Sequence, residues 1–535
     1  MSAESKEPEL MQKLVSLCKR RGFVFQSSEI YGGLKSAYDY GPMGVELKRN
    51  LMNEWWTYMV TSREDVVGLE SSIVMHPSVW KSSGHLSNFK DPLVDCLLCQ
   101  ERFRADKAPK LAEGAPAPLS FSDKGRAKLA EEKVKELLTA AGTTATIKRD
   151  GTQVTGLLAS DRGYVCPNCG SPFLSKERDF SGMFRTSLGP VDPIGAVIEA
   201  VKLGVQEGKG DRDLRSLAED VLSQSAVYLR PETAQGMFVQ FLNVQQSQSM
   251  KVPFGIAQMG KSFRNEITVE HFIFRSCEFE QMEMEYFCPP GEGPKYLTYW
   301  KDQRIAWWHG IGLTPEKLRF REHDQKELAH YSDGTFDVEY EFPWGWDELE
   351  GIASRTDYDL KAHMEGSGKK LHYFDQEATD PNTGKQGLHY VPHVVEPAAG
   401  ATRGVLAVLC NAYTEEVDEK GETRVLLKLH PRLAPYKVAI LPLVKKDEAL
   451  VARGREIAAR FFQAGIAARY EDQNTIGKRY ARHDEIGTPY CLTIDAQTLE
   501  DGTATIRYRD DRRQERIAVE SAVDVVRDAL RTGKV

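Results

Sequence analysis

The stretch G255-I-A-Q-M-G-K-S262 satisfies the phosphate-loop pattern G-x-x-x-x-G-K-[ST] at every fixed position. That pattern works only where a glycine-rich turn leaves a strand and opens a helix, so that backbone N–H groups and the helix N-terminus meet phosphate. After Ser262 the chain runs F263-R-N-E-I-T-V-E-H-F-I-F-R-S-C-E-F-E-Q-M-E-M-E-Y-F287, dense in aromatic and β-branched residues with stretches of alternation. Such a run predicts strand, not helix. We therefore reject the phosphate loop and read an antiparallel hairpin with Ile267 to Phe274 as its turn region. On the two-residue period Arg264 and Glu266 share one face of the first arm, and Arg275, Phe279 and Glu283 share a face of the second.

At 535 residues, 41% hydrophobic and 28% charged, the chain has the composition of a soluble enzyme. It is long enough for a large core and roughly two to four domains. No apolar run approaches the ~20 residues of a membrane helix, and the amino end M-S-A-E-S-K-E-P-E-L lacks a signal peptide's apolar segment, so a cytoplasmic location without membrane is expected. The net charge of -8 gives no global basic field, although a local basic face could still bind nucleic acid. Nine cysteines are too few for a disulfide scaffold. Four of them, Cys96, Cys99, Cys166 and Cys169, form two C-x-x-C pairs. Each pair offers two thiolates from a tight turn, as tetrahedral zinc requires, and four thiolates leave no open position, so structural zinc is expected, with reduced cysteines as the alternative. The long segment between the pairs predicts a loop with its own charged helix near Lys124 to Ala140.

Residues 10 to 26 predict a helix ending near Gly22 and then a short strand. In the run from Tyr38 to Tyr58, Gly41 and Pro42 break the chain immediately before an amphipathic helix, whose aromatic stripe suits core or subunit contact. His309, beside Trp307 and Trp308, is expected to pack rather than to ligate. After Pro431 the pattern becomes α/β: strand 438–444, helix 448–463, strand 466–470, helix 476–482, strands 490–494 and 503–509, and a final helix to Leu530.

Acidic and basic groups punctuate R230-P-E-T-A-Q-G236, the hairpin, D347-E-L-E-G351 and the segment from Val395 to Leu409, where Gly400 permits close backbone approach and Arg403 opens a helix. Together these resemble class II aminoacyl-tRNA synthetases. The Pro42 turn and helix match motif 1, F-R-x-E with R-x3-F-x3-E matches motif 2, and Gly400 to Arg403 looks like motif 3. R-P-E-T-A-Q-G, F-R-N-E, F-E-Q-M-E, E-P-x-x-G-x-x-R and L433-A-P-Y-K-V-A-I-L-P-L443 are similar to glycyl-tRNA synthetases of the homodimeric type. The resemblance covers nearly the whole chain apart from the insert.

The resemblance implies an α+β fold: an antiparallel catalytic sheet flanked by helices over 1–430, with insertions at 91–175 and 288–346, and an α/β anticodon-binding domain over 431–535. It implies a homodimer acting on glycine, ATP and tRNA(Gly) through glycyl-adenylate. Arg264 would neutralise charge on the α-phosphate through its planar donor fork, Arg403 would hold the γ-phosphate, and Phe279 would stack on adenine. Glu348, with Glu350 as neighbouring alternative, would bind magnesium. By resemblance Asn265, Glu266, Phe274, Arg275, Leu349 and Gly400 also line the ATP site, with Glu266 counted beside the two arginines in the catalytic set. Glu232, Glu283 and Glu396 match positions around the substrate ammonium, Ala398 a position in the expected glycine pocket, and Arg104 a position near the substrate. Glycine has no side chain to grip and no smaller competitor, so the pocket needs negative charge and no room for a β-carbon.

Three positions depart from the family pattern: Ala398 replaces a usual serine, Thr402 an often acidic residue, and Cys277 an arginine. The competing readings are a noncatalytic synthetase-like nucleic-acid-binding protein and a synthetase for another small amino acid. Retention of Arg264, Glu266 and Arg403 argues against the first, and the carboxylate set against the second. For tRNA, Lys478, Arg479, Arg482 and Tyr508 are candidate phosphate and stacking contacts.

Overall fold

Backbone alternation makes the false phosphate loop the middle of a strand. The computed structural model describes residues 9–34, 36–97, 99–110, 116–120, 136, 153–159, 163–168, 170, 173–190, 192–267, 271–324, 326–329, 332–381, 383–417, 421 and 423–533. Gly255 to Ser262 lie wholly inside Phe254–Phe263, a strand of the central seven-stranded sheet. The sheet strands in chain order are β1 (Val66–Gly68), β2 (Phe254–Phe263), β3 (Glu278–Cys288), β4 (Leu318–Glu322), β5 (Gly334–Phe342), β6 (Gly345–Thr356) and β7 (His393–Gly400). Across the sheet they run β4-β5-β6-β7-β3-β2-β1. The pairs β4–β5, β5–β6, β6–β7 and β7–β3 are antiparallel, and β2 pairs with β1 in parallel.

The hairpin reading needs two corrections. β2 ends at Phe263, so Arg264 and Glu266 lie past the strand in a local turn, where the Glu266 amide donates to the Arg264 carbonyl at 2.9 Å. Arg275 likewise precedes β3, which carries Phe279 and Glu283.

Helices α1 (Glu9–Arg21), α2 (Pro42–Trp56), α3 (Gly293–Gly310), α4 (Tyr358–Ser367) and α5 (Ala401–Ala412) accompany the sheet. α2 starts as the sequence predicts, with Gly41 at the N-cap and Pro42 in the first turn. Gly44 allows it to settle against the chain, since a Cβ there would lie 1.8 Å from the Phe23 carbonyl oxygen. The stripe Leu47, Leu51 and Trp55 is core. One sheet face, with Met282, Met284, Ile352, Val395 and Ala399, packs in that same core beside residues of α2, α3 and α5. On the opposite face Phe287 and Val394 meet Phe238 of the short helix Ala234–Val239 and Leu360 of α4. The stretch 288–346, expected as an insertion, supplies α3, β4 and β5 to this architecture. His309 is exposed rather than packed, while Trp307 and Trp308 are buried.

The α/β alternation after Pro431 forms a five-stranded sheet from β8 (Val438–Pro442), β9 (Ala468–Tyr470), β10 (Tyr490–Ile494), β11 (Thr503–Tyr508) and β12 (Gln514–Ala518), ordered β9-β8-β10-β11-β12. Helices α6 (Glu448–Gln463), α7 (Ile476–Glu485) and α8 (Ala522–Thr532) belong to it. The run entering this sheet is seated on α2: Asn50 donates to the carbonyls of Leu433 and Ala434 at 3.1 Å each, and Arg432 pairs with Glu54 at 3.0 Å.

All of these elements fall in one compact unit, apart from Phe263 at the end of β2. A second unit comprises 74–231 with 263–269. It holds two three-stranded sheets and the helices Pro193–Gln206 and Asp211–Gln224, the first of which is capped by Asp192 accepting from the amides of Ile194 and Gly195. The helix predicted near Lys124 to Ala140 lies outside the described residues apart from Glu136. Among the described residues no helix is long and apolar enough to cross a membrane.

Candidate active site

A one-residue irregularity in β6 decides which acids face the site. β5 pairs Glu339 with Glu348 but Val338 with Glu350, so Leu349 is an extra residue in the ladder. Such a bulge throws the alternation out of step on its two sides. Glu348 thereby shares a face with Gly351, where an added Cβ would lie 3.9 Å from both Glu348 Oε1 and Asp337 Oδ1. Glu350 turns into the core, fully buried, and accepts from Arg304 Nε and Trp308 Nε1 at 2.6 Å each. Glu350 is therefore a structural anion and no alternative to Glu348. Leu349, expected at the ATP site, has its side chain in the core. Asp337, which no motif flagged, hydrogen-bonds His323 at 2.6 Å and brings a second carboxylate beside Glu348.

The face of β3, β7 and β6 that bears Glu283 combines acids with small residues. Glu283 pairs with Ala398, Ala398 with Gly351, and Glu396 with Ala353. The same two-residue period puts Phe279, Gln281 and Glu285 on that face of β3, and Gly400 with Glu396 and Ala398 on β7. Glu283, Glu285 and Glu396 are buried, with carboxylate oxygens within 4.8 Å of one another. Thr233 donates to Glu283 from its amide at 3.0 Å and from its hydroxyl. Arg355 of β6 is the resident cation, donating to Glu396 at 2.7 Å and to both oxygens of Asp359 on α4 at 2.8 and 3.0 Å. Gln235 ties Glu232 to Asp359 at 2.9 and 3.0 Å, and its side-chain oxygen lies 2.8 Å from His363 Nε2.

Burial, then the Glu396 and Glu232 charges, pushes Glu283 up to about 8. Burial and the Glu396 charge push Glu285 well above the carboxylate range. Burial raises Glu396 as well, opposed by Arg355. Three buried acids share a single guanidinium, so the site suits a small cation that would favour their ionised forms. Thr233, Gln235, Glu285, Arg355 and Asp359 are functional candidates that motif reading misses. Glu285 is signalled by its two-residue offset from Glu283, and Arg355 with Asp359 by an i, i+4 pair.

The other end of this face gathers Arg403, Phe274 and Glu348. Arg403, at the start of α5, lies 4.4 Å from the Phe274 ring centroid, donates to the Phe274 carbonyl at 3.3 Å and pairs with Glu348 at 3.1 Å. Phe274 is itself buried against Phe342 and Trp344. Thr402 accepts from the Glu280 amide at 3.1 Å, so this departure ties the start of β3 to α5, while Glu280 also pairs with Lys48 of α2. Cys277 anchors its amide on the Ser36 carbonyl at 2.9 Å. Arg275 is half-buried.

The remaining predicted residues belong to the second unit. Arg264 donates to the Pro231 carbonyl at 3.1 Å and lies 5.8 Å from the Phe89 ring centroid. Asn265 is held to Gly182 through its amide at 2.8 Å. Arg104 is engaged by Asp106 and Asp91, each at 2.8 Å, with Glu266 near enough to add to its positive bias. In the same unit the Sγ atoms of Cys96, Cys99 and Cys166 lie within 4.8 Å of one another, and Cys99 and Cys166 are 3.7 Å apart. Thiolates about 2.3 Å from a tetrahedral ion are roughly 3.8 Å apart, so this set fits zinc. Cys169 lies outside the described residues.

Of the four residues read for tRNA, two change role. Arg479 is buried and donates to the carbonyls of Pro442 and Glu471 at 2.8 and 3.0 Å. Tyr508 is largely buried, its hydroxyl on Glu515 and its ring 3.8 Å beneath Arg513. Arg482 pairs with Glu471, and Lys478 is exposed.

An anticodon binding domain family matches residues 437–529. The chain is 42% identical to the glycine–tRNA ligase of Treponema denticola over 98% of each chain. It is 45% identical to that of Streptomyces coelicolor over 95% of each chain. It is also 45% identical to that of Bifidobacterium longum, over 98% of this chain and 93% of the relative.

Proposed function

The chain belongs to the glycine–tRNA ligase family, and from that premise we propose how its residues divide the work. Glycine and ATP give glycyl-adenylate and pyrophosphate, and the glycyl group then passes to the terminal adenosine of tRNA. The noncatalytic alternative finds no support among these relatives. The observation that carries the residue assignment is the set of buried acids Glu283 and Glu396 beside Ala398, Gly351 and Gly400, charge without side-chain room.

Glu283, Glu396 and Glu232 take the glycine ammonium, and the small residues beside them reject a β-carbon. Ala398 supplies a methyl where its family usually has a hydroxyl, so recognition here rests on the acids. The glycine carboxylate is ionised at neutral pH, with a pKa of about 3.5, and needs no general base before it attacks the α-phosphate. Arg264 neutralises the charge that grows on the nonbridging oxygens, and Arg403 holds the γ-phosphate so that pyrophosphate leaves in line. Both are positioning and electrostatic roles, which dominate phosphoryl chemistry. Phe279, on the Glu283 face, stacks on adenine.

Magnesium would be held by Glu348, and the convergence of Glu348 and Asp337 on Gly351 is a donor set of the right hardness. When bound, it neutralises phosphate charge. Zinc would be held structurally by Cys96, Cys99, Cys166 and Cys169. Lys478 remains the candidate phosphate contact of the anticodon domain. A homodimer is supported by the loop bearing Ile30 and Tyr31, each 87% exposed, ahead of α2.

The test is amino-acid-dependent exchange of pyrophosphate into ATP with glycine, alanine and serine. Exchange with glycine alone is expected. Silence with all three, in folded and metal-replete protein, would refute the assignment.

A further inference from the structure

Glu285 is the one carboxylate of the acidic face that the mechanism leaves idle, and its surroundings are unusual. It is fully buried, and no N–H or O–H donor among the described residues reaches either oxygen. The register that pairs Glu283 with Ala398 and Tyr286 with Val395 puts Glu285 directly opposite Glu396. The nearest polar group is thus another carboxylate. Two such groups in a dry sheet do not both stay ionised. The charged neighbours decide which one keeps the proton. Arg355 donates to Glu396 at 2.7 Å and gives both oxygens of Asp359 a hydrogen bond, while Glu285 receives a hydrogen bond from no donor of the described residues. Negative charge therefore settles on Glu396, beside the guanidinium, and the proton on Glu285.

We propose that Glu285 is a positioning residue of the glycine site: as a neutral acid it donates its proton to Glu396 and fixes that carboxylate for the ammonium. Glu396 is then held from two sides, by Arg355 and by the Glu285 hydroxyl, with its remaining lone pairs turned to the substrate. A carboxylate that could rotate freely would bind the ammonium with an ordering cost, which the shared proton removes. Neutrality matters as much as position. An ionised Glu285 would draw the ammonium away from the reacting geometry and burden the face with a further unpaired charge.

This inference rests on the glycine-site assignment above, and the test separates the two. E285Q keeps shape, neutrality and an N–H donor for Glu396, whereas E285L keeps only the bulk. Pyrophosphate exchange should show E285Q with a glycine KM within about threefold of wild type, and E285L with a glycine KM raised about tenfold or more while the ATP KM is unmoved. Equal damage from both variants would mean that Glu285 works as an anion, and a harmless E285L would mean that it does no positioning; either result overturns the proposal. Should E285L fail to fold, difference infrared spectroscopy decides: a protonated carboxylic acid band present with glycine bound and lost in E285Q supports the proposal, and its absence from wild type refutes it. E283Q is the control, because a glycine KM unaffected by that change would remove the glycine-site assignment itself.

Discussion

Raising the pH should tighten glycine binding, and the size of the effect is set by Glu283. In the empty site this acid is pushed up to about 8 by burial and by Glu396 and Glu232. At pH 7 it is therefore mostly neutral, yet the ammonium needs it charged. The sign is fixed: below its pKa the site lacks one negative charge, and affinity is gained as pH rises through that value. If only the ionised carboxylate binds, KM is multiplied by one plus the ratio of proton concentration to acid constant. The glycine KM should then be about elevenfold above its alkaline limit at pH 7 and about 1.1-fold above it at pH 9, a fall of about tenfold. The same linkage makes glycine expel about 0.9 proton per site at pH 7. Glu285 keeps its own proton, so the release approaches one and not two. Pyrophosphate exchange at varied glycine and saturating ATP measures the first quantity, and calorimetry in buffers of different ionisation enthalpy the second. A glycine KM flat from pH 6.5 to 8.5 with no buffer-dependent heat would refute the reasoning, because the acid would then already be ionised in the empty site.

Exchanging Glu348 for Gln should raise the magnesium requirement of activation without moving the denaturation midpoint, whereas Glu350→Gln strands the buried Arg304 and should cost about 3–5 kcal/mol of stability; a denaturant titration beside a magnesium titration checks both, and reversed phenotypes would contradict the bulge geometry. Metal analysis should find one zinc per chain, and cobalt in its place should show thiolate charge-transfer bands that vanish in C96S; a metal-free protein with four titratable thiols at these positions would exclude the site. Lys478→Ala should weaken tRNA binding and reduce the salt slope by about 1 with the fold intact, while Arg479→Ala should destabilise the C-terminal domain by leaving two carbonyls unpaired. Filter binding across salt concentrations and thermal melts distinguish them, and an unfolded K478A would reverse the assignment.

Residue strings alone single out residues that the fold brings together. Glu283 and Glu396, read from separate runs, converge on one sheet face, Arg403 meets Phe274 and Glu348, and the alternation after Gly255 is enough to reject a nucleotide loop. What stays hidden depends on pairing between strands. The bulge at Leu349 is a property of β5 and β6 together, so strict alternation wrongly offers Glu350 as a substitute for Glu348. Arg264 and Glu266 sit just beyond a strand end, where a two-residue period no longer orders side chains. Arg355 and Asp359 straddle the junction of β6 and α4, so their i, i+4 spacing reads as an ordinary surface ion pair until the fold buries it beside Glu396. Arg479 carries a surface residue's charge in a buried place, and only the carbonyls it serves explain it.

The extra residue at position 349 also bears on how this strand can change over time. Two acids two positions apart answer to different constraints, one to folding and one to the proposed magnesium site, and a single inserted residue insulates the first from the second. Selection can tune Glu348 and its neighbour Asp337 without disturbing the ion pair that seats α3, and the core can be repacked around Glu350 without touching the face that bears Glu348. Drawing Leu349 into the ladder as a paired residue would abolish that independence at a stroke: strict alternation would then set Glu348 and Glu350 on one face, and one of the two acids would stand where it does harm.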